Sequence, residues 1–349
     1  MKEFYRNKRV FITGDTGFKG SFLSMILAGM GAEVYGYALE PEDREHSIFY
    51  GLGIDSYIHH ETGDIRDYDK LARKLRESKA EIVFHLAAQP LVRESYREPR
   101  YTYETNVLGT VNILESIRMC AFVRSVLNIT TDKVYENNEE KIAFSEDMRL
   151  NGHDPYSNSK SCSELVTDSY KKSFFSDNEI AVSTARAGNV IGGGDFAKDR
   201  IIPDCARALA VKSPIEVRNP YSIRPYQHVF EPLYAYLLIA MKQYENKGLC
   251  GSYNVGPDDD SCITTGELAE LFCSKWGEGA SWIDKYDGGP YEAGFLKLNC
   301  DKIKETFGWM PRWSVETAIE KTVLWYKSFY AGDNMKIITD HQISEYFDI

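Results

Sequence analysis

Residues 9–29 read RVFITGDTGFKGSFLSMILAG, and the reading of this stretch decides the fold. The β-branched run at 9–13 predicts a strand, and apolar positions three and four apart over 18–30 predict an amphipathic helix. Gly14, Gly17 and Gly20 fall between and across the two. Three glycines at this spacing say little alone. Set directly after a strand and at the opening of a helix, they permit a tight turn and let the backbone approach a pyrophosphate. That anion then rests on the helix N terminus, where unpaired N–H groups and the helix dipole favour it.

Outward from this turn, further strand-like runs at 32–39, 57–64, 81–88, 125–131 and 180–187 alternate with helix-like segments at 67–78, 104–121 and 156–175. Six strands are predicted with the first. Strand and helix alternating in this way build a parallel sheet covered on both faces by right-handed crossovers. Past about residue 190 the rhythm is lost: GGGD at 192–195 and prolines at 203 and 214 precede shorter elements, up to a helix at 315–330. The expected architecture is α/β: a Rossmann-type doubly wound parallel sheet over 1–190 and a smaller C-terminal α/β substrate domain over 191–349, with some interleaving of segments. The tail beyond 331 is polar enough to be a loosely docked extension.

Charge and cysteine content exclude several function classes. Among 349 residues, 41 basic and 52 acidic side chains leave a net charge of -11, with no Lys/Arg block of the kind a nucleic-acid binder displays. Seven cysteines form no CxxC pair and are odd in number, which argues against a disulfide framework and a metal site and fits a reducing cytoplasm. The longest apolar stretch, near 233–241, is far short of a membrane span, and the N terminus lacks an apolar signal core.

A dinucleotide would find further contacts along the strand ends. Asp64 and Ile65, in GDIRD, close the third strand as an adenine edge, and Leu86, Ala87 and Ala88 end the fourth with residues small enough for a cofactor to lie against the backbone. The place where an acid normally holds the adenosine ribose, around Ala38, has none. Asp15, inside the glycine turn, would repel the pyrophosphate if it faced it. These two features together predict loose cofactor binding.

Tyr156 and Lys160 stand four apart in DPYSNSK, on one face of a predicted helix. A free tyrosine titrates near ~10, so it serves as a base at neutral pH only where cations stabilise the phenolate; a lysine ammonium and an oxidised nicotinamide are two such cations. Thr131, Asp132 and Lys133 stand at the carboxyl end of the fifth strand, the edge at which open α/β sheets bind ligands. Thr131 can bond a substrate hydroxyl, and Asp132 beside Lys133 offers an acid and a potential base.

GDTGFKG, TNVLGT at 105–110, TTDKVYE at 130–136 and the Tyr156/Lys160 pair together resemble the extended short-chain dehydrogenase/reductase superfamily. HLAAQPLVRESY (85–96), NGHDPYS (151–157), ARAGNVIGGGD (185–195) and RPYQHVFEPL (224–233) resemble the CDP-glucose 4,6-dehydratases within it, although Phe22 and Tyr226 stand where that family has tryptophan. The resemblance implies NAD as cofactor, held by Gly14, Thr16, Gly17, Phe18, Lys19 and Gly20 together with Asp64, Ile65, Leu86, Ala87, Ala88, Tyr156 and Lys160. It implies a nucleotide-sugar substrate held by Gln89, Asn189, Arg200 and Arg224.

The same resemblance implies an order of events. Tyr156 takes the 4-hydroxyl proton as hydride leaves C4, Lys133 removes the C5 proton, Asp132 protonates the departing 6-hydroxyl, and hydride returns to C6. Lys133 stands where sugar-nucleotide dehydratases generally carry glutamate, and as a base it must be neutral, with its pKa well below ~10.4. A different nucleotide-sugar 4,6-dehydratase is the nearest alternative. A 4-epimerase shares Thr131, Tyr156 and Lys160 but has no use for an acid and base at C5 and C6, and a non-enzymatic dinucleotide sensor would not need Thr131, Tyr156 and Lys160 intact together. The segments 104–121 and 156–175 carry the dimer interface in the superfamily, which implies a homodimer or homotetramer.

Overall fold

Val10, Phe11 and Ile12 of the first strand are all buried, with Val10 and Ile12 in one apolar cluster and Phe11 in another. Consecutive burial of this kind marks a parallel strand covered on both faces. The computed structural model describes residues 1–277, 279–286 and 293–348. Seven strands form the central sheet: β1 (Arg9–Thr13), β2 (Glu33–Ala38), β3 (His59–Thr62), β4 (Ile82–His85), β5 (Ser125–Thr131), β6 (Ala181–Ala187) and β7 (Ser252–Val255). Their order is β7-β6-β5-β4-β1-β2-β3, and every neighbouring pair is parallel. The order reverses between β1 and β4, the place where such sheets open a ligand crevice.

Six strands fall within the six predicted runs. The seventh, β7, is SYNV, too short to show an alternation, and it enters from the C-terminal half to pair with β6. The crossover helices are α1 (Phe18–Gly29), α2 (Tyr68–Ser78), α3 (Gly109–Arg118) and α4 (Pro155–Phe174). Asp67 caps α2 by accepting from the Lys70 N–H, and Asp154 caps α4 by accepting from the Ser157 N–H, with Pro155 preset for the first turn. That cap fixes where Tyr156 begins its helix.

The segment 104–121 is not one regular helix. Glu104–Leu108 winds as a π-turn ahead of α3. Inside it, the Asn106 side chain accepts from the Gln89 N–H at 2.8 Å and donates to the Gln89 carbonyl and the Ser159 hydroxyl, at 3.1 and 2.8 Å. The extra residue of a π-turn re-aims a side chain, and here it ties the β4 exit loop to α4.

The C-terminal half adds α5 (Ile201–Ala210), α6 (Phe230–Glu245), α7 (Thr265–Trp276), α8 (Val315–Ala331) and α9 (Met335–Phe347). Leu209, Phe272 and Ile319 form a second, smaller core among α5, α7 and α8. By contrast α6 packs on the main sheet, where Leu233, Tyr236 and Ile239 join the core of β1. The tail beyond 331 is not loosely docked, contrary to its composition. Ile343, Tyr346 and Phe347 of α9 are buried in the main core, Trp325 Nε1 donates to Thr339, and Arg312 donates to the Tyr346 carbonyl. A helix turns one face inward, so a mostly polar sequence hides a short apolar stripe.

Candidate active site

The carboxyl ends of β1, β4 and β5 open onto a single large cleft. At its cofactor end the chain turns at Gly14, with φ +79, and enters α1. A Cβ on Gly14 would stand 2.8 Å from the Ala87 nitrogen, and one on Gly20 would stand 2.0 Å from the Gly14 carbonyl oxygen. The turn is therefore closed as tightly as backbone allows, with the α1 N terminus facing the cleft. This cradle fits a dinucleotide pyrophosphate, since backbone N–H groups can approach it with no side chain between. Thr16, Gly17, Phe18, Lys19 and Gly20 all line the cleft.

Asp15 does not line it. Its carboxylate is buried beneath β2, where Oδ2 pairs with His60 Nδ1 at 2.7 Å. The expected repulsion of the pyrophosphate presumed the opposite orientation. At the end of β2, Ala38 indeed carries no acid, but Glu40 two residues on lines the cleft and is held by Thr62 and Tyr50 at 2.5 and 2.6 Å. Sequence reading missed it because it looked for the acid at the last strand residue. Asp64, Ile65, Leu86, Ala87 and Ala88 also line the cleft, Asp64 with its carboxylate engaged by Arg66 and Ile65 with its carbonyl accepting from Asn112.

Thr131, Asp132, Lys133, Tyr156 and Lys160 all line the cleft, from the carboxyl end of β5 and the first turns of α4. Thr131 donates to Asp132 Oδ1 at 2.9 Å and shares a hydrogen bond with the Tyr156 hydroxyl. Burial pushes Tyr156 up to about 12, against the pull of Thr131. Lys160 donates to the Ile129 carbonyl at 3.0 Å, and burial pushes it down to about 8, with Glu164 one turn further along α4 acting the other way. Asp132 is buried, its pKa raised by that burial against the charges of Lys133, Arg224 and Lys19. Among the described residues its second oxygen, Oδ2, has no hydrogen-bond partner. A buried carboxyl with a raised pKa holds on to a proton that it can give up to a ligand atom.

Lys19 adds a feature the motif did not announce. Its ammonium donates to the buried Tyr236 hydroxyl of α6 at 3.3 Å, and burial, Arg200 and Lys160 together push it down to about 7. A residue of the cofactor turn thus reaches the reacting centre. Tyr236 lay hidden in an apolar run, with no sequence signal to separate it from core.

The remaining substrate candidates divide by how committed they are. Arg200 lines the cleft and is paired with Asp195 at 2.8 Å. Arg224 is largely buried and donates to the carbonyls of Ile223 and Ala293. Asn189 lines the cleft through a loop whose carbonyl accepts from Gln227 N–H. The Gln89 amide is spent within the chain, donating to Thr102 and accepting from the Leu91 N–H. Phe22 packs edge-on against Phe230, while Tyr226 lines the cleft with its hydroxyl hydrogen-bonded to that of Thr265.

Fold and site together define an extended short-chain dehydrogenase/reductase, a Rossmann-type sheet with a tyrosine–lysine helix beside a glycine-cradled cleft. The chain belongs to the GDP-mannose 4,6 dehydratase family, whose model matches residues 11–322. It is 44% identical to the CDP-glucose 4,6-dehydratase of Salmonella typhimurium (strain LT2), an alignment that covers 99% of this chain and 98% of the relative. Among solved structures it shares its fold with an epimerase from Methanothermobacter thermautotrophicus, with a TM-score of 0.82, 23% identity and 97% of each chain covered. The dTDP-glucose 4,6-dehydratase of Bacillus anthracis in complex with NAD superposes with a TM-score of 0.77 at 20% identity, over 92% of this chain and 97% of that one.

Proposed function

We propose that this chain is an NAD-dependent hydro-lyase that converts CDP-D-glucose to CDP-4-dehydro-6-deoxy-D-glucose and water. The observation that carries the reading is the buried Asp132 carboxyl, with Oδ2 unpaired among the described residues, next to Lys133 within a cleft that Thr131, Tyr156 and Lys160 also line. The full-length similarity to a CDP-glucose 4,6-dehydratase supports the same reaction and its base. The glycine turn, Ala87 and Glu40 would hold NAD, which supplies the redox chemistry by accepting hydride from C4 and returning it at C6.

The chain's own groups do the rest. Tyr156 accepts the 4-hydroxyl proton, with the Lys160 ammonium beside it to stabilise the phenolate and Thr131 to orient the hydroxyl. The resulting 4-ketone acidifies C5, and Lys133 takes the C5 proton. Asp132 gives its proton to the departing 6-hydroxyl, which leaves as water. Lys133 then returns a proton to C5 and is neutral again, while Tyr156 ends one proton richer and Asp132 one proton poorer; passage of that proton from Tyr156 to Asp132, both in contact with Thr131, restores the starting state. Arg200 and Arg224, cations that line the cleft in a chain of net charge -11, would meet the diphosphate.

A second copy of the chain is the expected partner. Leu108 and Met119, which flank α3, and Leu165 of α4 are exposed, a pattern that suits pairing of α3 and α4 across a two-fold axis. Among the described residues no helix is long and apolar enough to cross a membrane, and all seven cysteines are free. Incubation with NAD and a panel of nucleotide glucoses, read by mass spectrometry, should give loss of one water from CDP-glucose. Inversion at C4 with no loss of mass would replace the reading with epimerisation.

A further inference from the structure

Three positions far apart in sequence fit one another beneath the glycine turn. Gly36 and His60 are direct partners across β2 and β3. A Cβ on Gly36 would stand 2.0 Å from Asp15 Oδ2, so only the missing side chain lets that carboxylate pass over β2 to reach His60 at 2.7 Å. The Asp15 side chain is fully buried and that of His60 only 11% exposed. Residues 14 and 16–20 line the cleft, and Asp15 alone of this turn does not. The pair thus removes a carboxylate from the one turn where an anionic pyrophosphate would sit.

We infer that His60 is a cofactor-positioning residue, which holds Asp15 off the phosphate cradle and couples cofactor binding to its own protonation. With the ring protonated the pair is neutral. Once the ring loses its proton the pair carries a net negative charge directly behind the cradle. Binding of a dianionic pyrophosphate therefore favors the imidazolium, and by linkage the affinity falls as pH rises through the His60 pKa. The groups facing His60 push in one direction. Burial works against its charged form, but the hydrogen bond and charge of Asp15, with Glu40 and Glu61 beyond, outweigh it and raise its pKa. Phe49, packed on the ring from outside the sheet, is neutral.

The inference rests on reading the turn as the NAD cradle, and the test separates the two. NAD affinity is measured by calorimetry, without sugar, for wild type, His60→Asn, Asp15→Ala and the double variant between pH 6 and 9. His60→Asn should weaken NAD about five- to tenfold in the wild-type background and leave affinity unchanged in the Asp15→Ala background. An equal loss in both backgrounds would mean that His60 merely packs, and would overturn the inference. In the wild-type protein, the His60 ring titration followed by NMR should move upward when NAD is added, and the dissociation constant should rise with pH; an unmoved titration overturns it without any variant. Absence of NAD binding by wild type at every pH would instead defeat the cofactor reading itself.

Discussion

Thr131 donates its hydroxyl proton to Asp132 Oδ1 at 2.9 Å, and this contact commits only one of the two carboxyl oxygens of a buried side chain. The other oxygen, Oδ2, is buried without a hydrogen-bond partner among the described residues. Asp132→Asn keeps the shape but cannot deliver an acidic proton, so elimination should slow by at least ~100-fold while oxidation at C4 persists. Single-turnover absorbance of reduced cofactor, compared with release of dehydrated sugar, measures the two steps separately.

Lys133 and Tyr156 are predicted to fail differently. Lys133→Met removes the C5 base and leaves the oxidation machinery, so reduced cofactor should accumulate with at least ~100-fold less elimination. Tyr156→Phe should block both. Near wild-type elimination by Lys133→Met would mean that another group takes the C5 proton.

Activity should decline on the alkaline side as Lys160 loses its proton. Burial lowers its folded-state pKa from the ordinary lysine range to about 8, so the ammonium of Lys160, one helical turn from Tyr156 on α4, is lost as pH rises through about 8. The stability linkage has the opposite sign. The unfolded lysine still holds its proton between about 8 and the ordinary lysine pKa, so in that window this group favours folding as pH rises. A pH profile of the oxidation half-reaction, set beside urea titrations at matched pH, should show rate and this contribution to stability moving apart.

Much of this is legible in the sequence. The glycine turn, the carboxyl ends of β4 and β5 and the α4 cap carry their own local signals, so Gly14, Thr131 and Tyr156 could be placed by spacing. What was not legible depends on contacts between distant segments. Asp15 faces His60 because residue 36 is glycine, and Lys19 reaches the reacting centre through Tyr236, and no local pattern records either. The same limit hid β7 and the docking of α9, whose apolar stripe gains meaning only against the core it fills.

Arg186 and Glu164 form a buried pair at 2.9 Å behind the reacting centre, both almost fully enclosed. Thr130 and Thr184 donate to the Glu164 carboxylate, and Arg186 donates to Tyr135. Removing one partner strands a buried charge. Arg186→Met should cost about 3–5 kcal/mol of stability, read from the urea midpoint.

Gly20 tests the cradle itself. A Cβ there meets the Gly14 carbonyl oxygen at 2.0 Å, a backbone atom that cannot swing aside. Gly20→Ala should lower stability by about 1–3 kcal/mol and abolish NAD binding measured by calorimetry, since the turn must open to admit the methyl group.

The central claim is that oxidation, elimination and reduction occur within one sugar in one cleft. CDP-glucose carrying deuterium at C4 puts this to the most direct test when the product is examined by NMR. The account predicts product with the label at C6 and solvent hydrogen at C5, and no net reduction of NAD. Label recovered in free NADH in stoichiometric amount, with a 4-keto sugar that keeps its 6-hydroxyl, would contradict it.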